Sequence, residues 1–321
     1  MIKILSIDGG GIRGIIPAIL LAEIEKRTQK PISELFHLIA GTSTGGLLAL
    51  SLVKPDENRR PEYTAQKVID LYEIEGENIF SRSVIHRIRS LESLTEEKYP
   101  SEGIEGVLRK YFNETHLKEA IVDVLIASYE IEQRIPWFFR SSRAKTQIDY
   151  DFPMWQVARA TTAAPTFFEP LKINADCVVD YYALIDGGIC ANNPAMCAYV
   201  EAKSNYPDSD DFMLLSLGTG KISRPIIYSE SKDWGLAGWA QPILEVVFDS
   251  ISATVDYQLQ KILNLKDREK HYYRFQPKLN EDHAGIDNTT PENIRMLKLI
   301  TQELIRDCND EINSLCDLLM R

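Results

Sequence analysis

The sequence has no apolar run approaching the ~20 residues that cross a bilayer as a helix. It has no low-complexity tract and no internal repeat, which excludes repeat and linker architectures. Basic residues are in deficit: 36 Lys plus Arg stand against 47 Asp plus Glu, a formal charge of −11. Binding to a nucleic-acid polymer rests on neutralising phosphates, so this balance argues against it. It argues equally against broad electrostatic adhesion to anionic lipid. Cysteines are few and odd in number (Cys177, Cys190, Cys197, Cys308 and Cys316), with no CxxC pair. They read as free thiols in a reducing cytoplasm, not as a disulfide framework. His37, His86, His116, His271 and His283 are scattered without metal-ligand spacing, so no metal site is expected. No signal peptide is expected either: Asp8, the glycines after it and Arg13 interrupt the first apolar run.

What remains is an ordinary globular composition, 44% apolar and 26% charged over 321 residues. Ile2 to Ile7 reads as a buried strand, and residues 15–30 as a helix. A short apolar run, residues 36–40, ends in GTSTGG and leads into a helix beginning LLALSLV. Residues 63–77 and 102–112 read as helices. Residues 121–131 and 134–140 read as two strands around a tight polar turn. A small-residue helix is expected over 154–168, stopped by Pro165, and a strand is expected to end at Ile185 against DGG. Residues 192–202 form a capped helix with Pro near its start. Residues 211–220 form a strand and its loop, and 234–264 and 291–320 look mainly helical. Strands alternating with helices through Gly-rich turns predict an α/β layered fold with a central, mostly parallel sheet flanked by helices. No linker demands a second domain, so residues 1–321 are read as one domain with a C-terminal helical part from about 221 to 321.

The turn Gly41-Thr42-Ser43-Thr44-Gly45 fits G-x-S-x-G, which places a serine on a sharp strand-to-helix turn. The following helix N-terminus favours negative charge there. Ser43 is therefore a candidate nucleophile, although a serine at this place can also simply cap a helix. A serine hydroxyl needs a base to take its proton. His271 and His283 come in the order an α/β-hydrolase would require, but neither lies in a loop signature. Asp186, at a strand end and followed by Gly187 and Gly188, is the better candidate.

The chain opens with Gly9, Gly10, Gly11 and Gly14 between a strand and a helix. Gly9, Gly11 and Gly14 fit G-x-G-x-x-G, the dinucleotide fingerprint, yet the second strand ends LIAGTS without the acidic residue that would hold a ribose. The other chemistry such a loop serves is acyl transfer, in which backbone N–H groups stabilise a tetrahedral oxyanion. On that reading Gly9, Gly10 and Gly11 form an oxyanion hole. Arg13 adds positive potential or pairs with an acidic neighbour, and Asp8 stiffens the turn.

DGGGIRG, GTSTGG and DGGICANNPA stand together in one chain, with ARATTAAPTFFEP and SLGTG as weaker companions. In these blocks, and in their order, the sequence resembles the patatin-like phospholipase family from the N-terminus to about residue 220. Beyond that the similarity to bacterial members is general. The resemblance implies a Ser–Asp dyad without a catalytic histidine: Ser43 as nucleophile, Asp186 as its activating acid, Gly9, Gly10 and Gly11 as oxyanion glycines, and Arg13 beside them. It implies cleavage of fatty-acyl esters of phospholipids, with no metal or other cofactor, by a cytoplasmic protein that meets the inner membrane face when active. For such a dyad to work, the Asp186 environment must raise its pKa by burial or hold it close to Ser43.

An acyl chain also needs an apolar groove. Ile12, Ile15, Ile16, Leu47, Phe167 and Phe168 lie near the motifs, and core packing is the competing reading for each. RSVIHRIR, residues 82–89, could touch headgroups or form a solvated helix face. Some bacterial proteins of this family are antiphage effectors switched on by a cyclic dinucleotide, which makes such a nucleotide a candidate activator. It also makes residues 233–259 a candidate regulatory or homo-oligomer surface, against a plain core helix. The alternatives are a carboxylesterase on soluble esters and a binding or storage protein on the same scaffold.

Overall fold

The computed structural model describes residues 1–80, 101–165, 167–175, 180–222, 225–239, 242–264 and 270–321. Strand β1 (Ile2–Ile7) lies at the centre of the main sheet, parallel to β2 (Leu38–Thr42) on one side and to β7 (Phe212–Leu217) on the other. β3 (Asp123–Glu130) continues the parallel run beyond β2, and β9 (Tyr272–Phe275) continues it beyond β7. β4 (Ile135–Arg140), β5 (Leu171–Asn174) and β6 (Tyr181–Asp186) join as antiparallel strands at the β3 end. β8 (Lys221–Ile222) and β10 (Lys278–Leu279) form a separate parallel pair. The sheet is thus mostly parallel with an antiparallel margin. β2 and β7 are buried along their whole length, as unbroken apolar strands covered on both faces should be.

Side-chain alternation along the strands sorts the core into two layers. Leu5, Ile7, Ile39, Ile126 and Leu215 face one side. There they pack with α1 (Ile15–Thr28), α2 (Thr44–Val53), α3 (Ala65–Phe80), α4 (Ser101–Phe112) and α5 (Met154–Thr161). Ile4, Leu38, Ala40, Leu125 and Leu214 face the other side, against α6 (Ala195–Asn205) and α7 (Pro242–Leu263). Each buried Leu or Ile contributes roughly 1.5–3 kcal/mol, so both layers hold the sheet firmly.

The segment after residue 220 is not only helical. β9 lengthens the main sheet, and β10 pairs with β8. α8 (Pro291–Asp307) and α9 (Asn309–Met320) bury Leu297, Ile312, Leu315 and Leu319 in the same core layer as α1. α5 ends at Thr161 instead of running on to Phe168. The Thr162 hydroxyl donates back to the Ala158 carbonyl, and the chain leaves the helix so that the Ala163 carbonyl can accept the Asp186 N–H. RSVIHRIR lies outside the described residues. No helix among the described residues is long and apolar enough to cross a membrane.

Candidate active site

One strand brings the two motifs together. β4 pairs with residues 125–130 of β3 and so occupies one edge of that strand. β2 and β6 therefore share the other edge. β2 ends there with Thr42 opposite Ala127, and β6 takes over with Asp186 opposite Ser128. Adjacent residues of β3 thus set the residue before Ser43 beside Asp186. The Ser43 hydroxyl donates to Oδ2 of Asp186 at 2.6 Å.

Ser43 turns the chain from β2 into α2 with φ 54° and ψ −123°. A non-glycine residue in that region costs about 1–3 kcal/mol unless its surroundings enforce it. The enforcement is visible. The Ser43 N–H donates to Oγ1 of Thr161 at 2.8 Å, and that hydroxyl in turn donates to the Ala127 carbonyl at 2.6 Å. Just before the turn, the Thr42 hydroxyl donates to the Ala191 carbonyl at 2.6 Å. The serine is therefore exposed to the site by a backbone shape that its neighbours hold.

Asp186 is only 5% exposed. Its N–H donates to the Ala163 carbonyl at 2.9 Å, and its Oδ1 accepts the Gly188 N–H at 2.7 Å. Burial pushes its carboxyl up to about 6, against the downward pull of the Ser43 hydroxyl and the Gly188 N–H. Both conditions stated for a working aspartate base are met: the raised pKa and the contact with serine. The two late histidines are engaged elsewhere. Nδ1 of His271 lies 3.3 Å from the Phe212 carbonyl, and Nδ1 of His283 lies 3.0 Å from Oδ1 of Asn293.

The glycine loop lies directly against this pair. A Cβ at Gly9 would stand 2.5 Å from Oδ1 of Asn192 and 3.3 Å from Cβ of Ser43, so no side chain fits there. The Gly9 N–H donates to the Asn192 carbonyl at 3.0 Å, and its own carbonyl accepts the Thr219 hydroxyl at 2.6 Å. Gly9 is therefore a close-approach residue whose N–H is already engaged. The Gly10 and Gly11 N–H groups have no intramolecular acceptor among the described residues. The next donor along, Ile12 N–H, goes to the Ile286 carbonyl at 2.9 Å. Arg13 folds back with Nε 3.3 Å from the Gly10 carbonyl. Burial brings its pKa down to about 10 while the Asp249 charge pulls it up, so it stays cationic at neutral pH.

Asp8 anchors the start of the loop. Its two carboxylate oxygens accept from both terminal nitrogens of Arg274, at 2.9 and 2.6 Å. Arg274 also donates to Oγ of Ser216 at 2.7 Å. Such a bidentate pair fixes orientation as well as distance.

The structure thus brings Ser43, Asp186 and Gly9 into one cluster, with Gly10, Gly11 and Arg13 in the same turn. Ile12, Ile15, Ile16 and Leu47 are buried in the core, so packing is their role. Phe167 and Phe168 are half-buried. Sequence reasoning gave no part to Thr161, Asn192, Thr219, Arg274 or Ile286. Thr161, Asn192 and Thr219 do lie inside stretches that the sequence singles out. Nothing local marks Arg274 or Ile286.

Comparison with known proteins agrees with the motifs. Residues 5–199 match the family model described as patatin-like phospholipase. Patatin-like protein 4 of Arabidopsis thaliana is 31% identical, over 95% of this chain and 83% of that protein. Patatin-like protein 2 of the same plant is 32% identical, over 95% and 83%. A protein of Solanum tuberosum named probable inactive patatin-3-Kuras 1 is 30% identical, over 98% and 88%. Resemblance to such a set does not by itself carry activity, which has to be argued from the side chains present. With a family model covering more than half of its residues and relatives aligned along nearly all of its length, this chain belongs to the patatin-like phospholipase family.

Proposed function

We propose that the protein is a lipid acyl hydrolase of the phospholipase A type that works through a Ser43–Asp186 dyad and an acyl-serine intermediate. Family membership supports lipid acyl hydrolysis in general. The observation that carries the finer reading is the 2.6 Å bond from the Ser43 hydroxyl to a buried carboxylate whose pKa stands near 6.

Asp186 accepts the Ser43 proton as Oγ attacks the acyl carbonyl. The Gly10 and Gly11 N–H groups hold the developing oxyanion, each donor worth roughly 3 kcal/mol of barrier. The cationic Arg13 adds positive potential to the same loop. The alcohol leaves with the proton from Asp186, and the fatty acyl group remains on Ser43. Asp186 then takes a proton from water as its oxygen attacks the acyl carbonyl; the bond to Ser43 Oγ breaks, Oγ takes the proton back from Asp186, and the fatty acid is released.

The test is fatty-acid release from phospholipid vesicles by the wild type, Ser43→Ala and Asp186→Asn, with and without a panel of cyclic dinucleotides. Release by the wild type and none by either variant is the expected result. Release that needs a nucleotide would add a switch and favour the antiphage reading. Labelling of Ser43 by a fluorophosphonate with no release from vesicles would favour a carboxylesterase on soluble esters. Neither release nor labelling would leave a binding or storage protein and overturn the proposal.

A further inference from the structure

The glycine loop is braced by a segment far outside the residues that the family model covers. The loop from Glu281 to Thr290 crosses Gly11, which sits at φ +58°. A Cβ on Gly11 would fall on the Ile286 carbonyl, so the two backbones are in van der Waals contact. That same carbonyl accepts the Ile12 N–H at 2.9 Å. Ile286 is 36% exposed, and it meets the glycine loop through its carbonyl, so the loop that carries that carbonyl sets the contact.

That loop is gathered by one buried residue, twice through its side chain and once through its backbone N–H. Asn293, in the first turn of α8, is 2% exposed. Its Nδ2 donates to the Asn288 carbonyl at 2.6 Å, and its Oδ1 lies 3.0 Å from Nδ1 of His283, placed to accept that N–H. Its own backbone N–H donates to Oγ1 of Thr290 at 3.3 Å. Asn293 therefore ties three points of the loop, on both sides of Ile286, to a helix whose Leu297 is fixed in the core. A buried amide with both ends of its side chain satisfied specifies one geometry, because losing either partner leaves a desolvated polar group.

We propose that Asn293 is a positioning residue for the oxyanion donors. Through Ile286 it fixes the Ile12 N–H and the left-handed turn at Gly11, and so keeps the N–H groups of Gly10 and Gly11 where the tetrahedral oxyanion forms. It touches neither substrate nor dyad. The inference rests on the proposed acyl-transfer reading of Ser43. It predicts that damage at Asn293 lowers transition-state stabilisation while leaving ester binding and the Asp186 base as they were.

The experiment compares the wild type, Asn293→Ala and His283→Ala in the full-length protein. A soluble short-chain nitrophenyl ester is the substrate, with Ser43→Ala as control. Loss of turnover in the control establishes that the serine chemistry is being read; persistence of turnover would sink the acyl-serine reading itself, separately from the clamp. For Asn293→Ala a fall in kcat of about 10- to 100-fold is expected, with KM within threefold and the acid limb of the pH profile unmoved near 6. His283 lies partly exposed and contributes one of the ties, so His283→Ala is expected to fold and to lose kcat by a few-fold, again at constant KM. A folded Asn293→Ala with kcat within twofold of the wild type would overturn the proposal. So would a shifted acid limb, which would mean that the damage reaches Asp186. If Asn293→Ala fails to fold, His283→Ala decides alone, and unchanged kcat there overturns the proposal.

Discussion

The serine turn and the glycine loop are two Gly-rich strand-to-helix turns that meet at one site, yet they are fastened in different ways. The Ser43 turn is held by Thr161, Ala127, Asp186 and, through Thr42, Ala191. All of these fall inside the stretch covered by the family model. The glycine loop is held by Asn192, Thr219, Ile286 and, through Asp8, Arg274. Three of those four come after that stretch. The proposed nucleophile and base are thus built by the front of the chain, and the glycine loop proposed to hold the oxyanion is braced by its rear. The Ser43 turn is encoded compactly here, whereas the shape of the glycine loop is borrowed from distant contacts.

The largest effect should come from the compact half. Ser43→Ala and Asp186→Asn should each cut hydrolysis by at least about 10³-fold, measured as initial rates on vesicles. Retention of more than a tenth of the rate by either would break the contrast at its root. Next comes the rear brace. Asp8→Ala leaves the Arg274 guanidinium buried beside Ser216 without its carboxylate partner. Removing one member of a buried pair costs about 3–5 kcal/mol, which urea unfolding would read.

Asp186→Asn should also change stability, and in the opposite direction. The folded pKa of about 6 lies above the unfolded value of 3.8, so the folded state holds the proton more tightly. Its contribution is fully present below about pH 4, fades between pH 4 and 6, and is lost above. Burying the ionised form then costs up to about 3 kcal/mol, because one pKa unit is about 1.4 kcal/mol. The variant should therefore be more stable than the wild type at pH 7–8, with the gap closing toward pH 4. Equal melting temperatures at pH 8 would argue against a strained, buried base. The same group sets the acid limb of activity: below about pH 6 the rate should fall tenfold per unit as Asp186 protonates. The smallest effect belongs to a single tie of the glycine loop. Thr219→Val removes the hydroxyl bond to the Gly9 carbonyl and should cost about 1 kcal/mol of stability. Its kcat should drop while labelling of Ser43 persists.

Much of this site was legible because each motif declares itself locally. An apolar strand, a cluster of glycines and an apolar helix are visible within about twenty residues around Gly9 and again around Ser43. Asp186 announces itself at a strand end beside two glycines. The layered fold follows from the same alternation. What escaped is what depends on partners far along the chain. Arg274 looks like any charged residue in a four-residue strand, and β5 and β9 are too short to show a period. Ile286 acts through its carbonyl, which its side chain does not advertise. The early end of α5 was hidden for a related reason: the small residues after Thr161 suit a helix, but the Ala163 carbonyl is needed by Asp186.

The shared edge of β3 also bears on when in folding the proposed dyad is assembled. Ser43 and Asp186 are separated by 143 residues and become neighbours only after β2 and β6 have both docked on the same strand. Closing so long a loop is slow compared with local helix formation. On the proposed dyad, an emerging or half-folded chain carries its serine without a base, and hydrolytic competence is expected to arrive late, with the completed sheet. In a refolding time course, labelling of Ser43 should lag behind the recovery of helical signal.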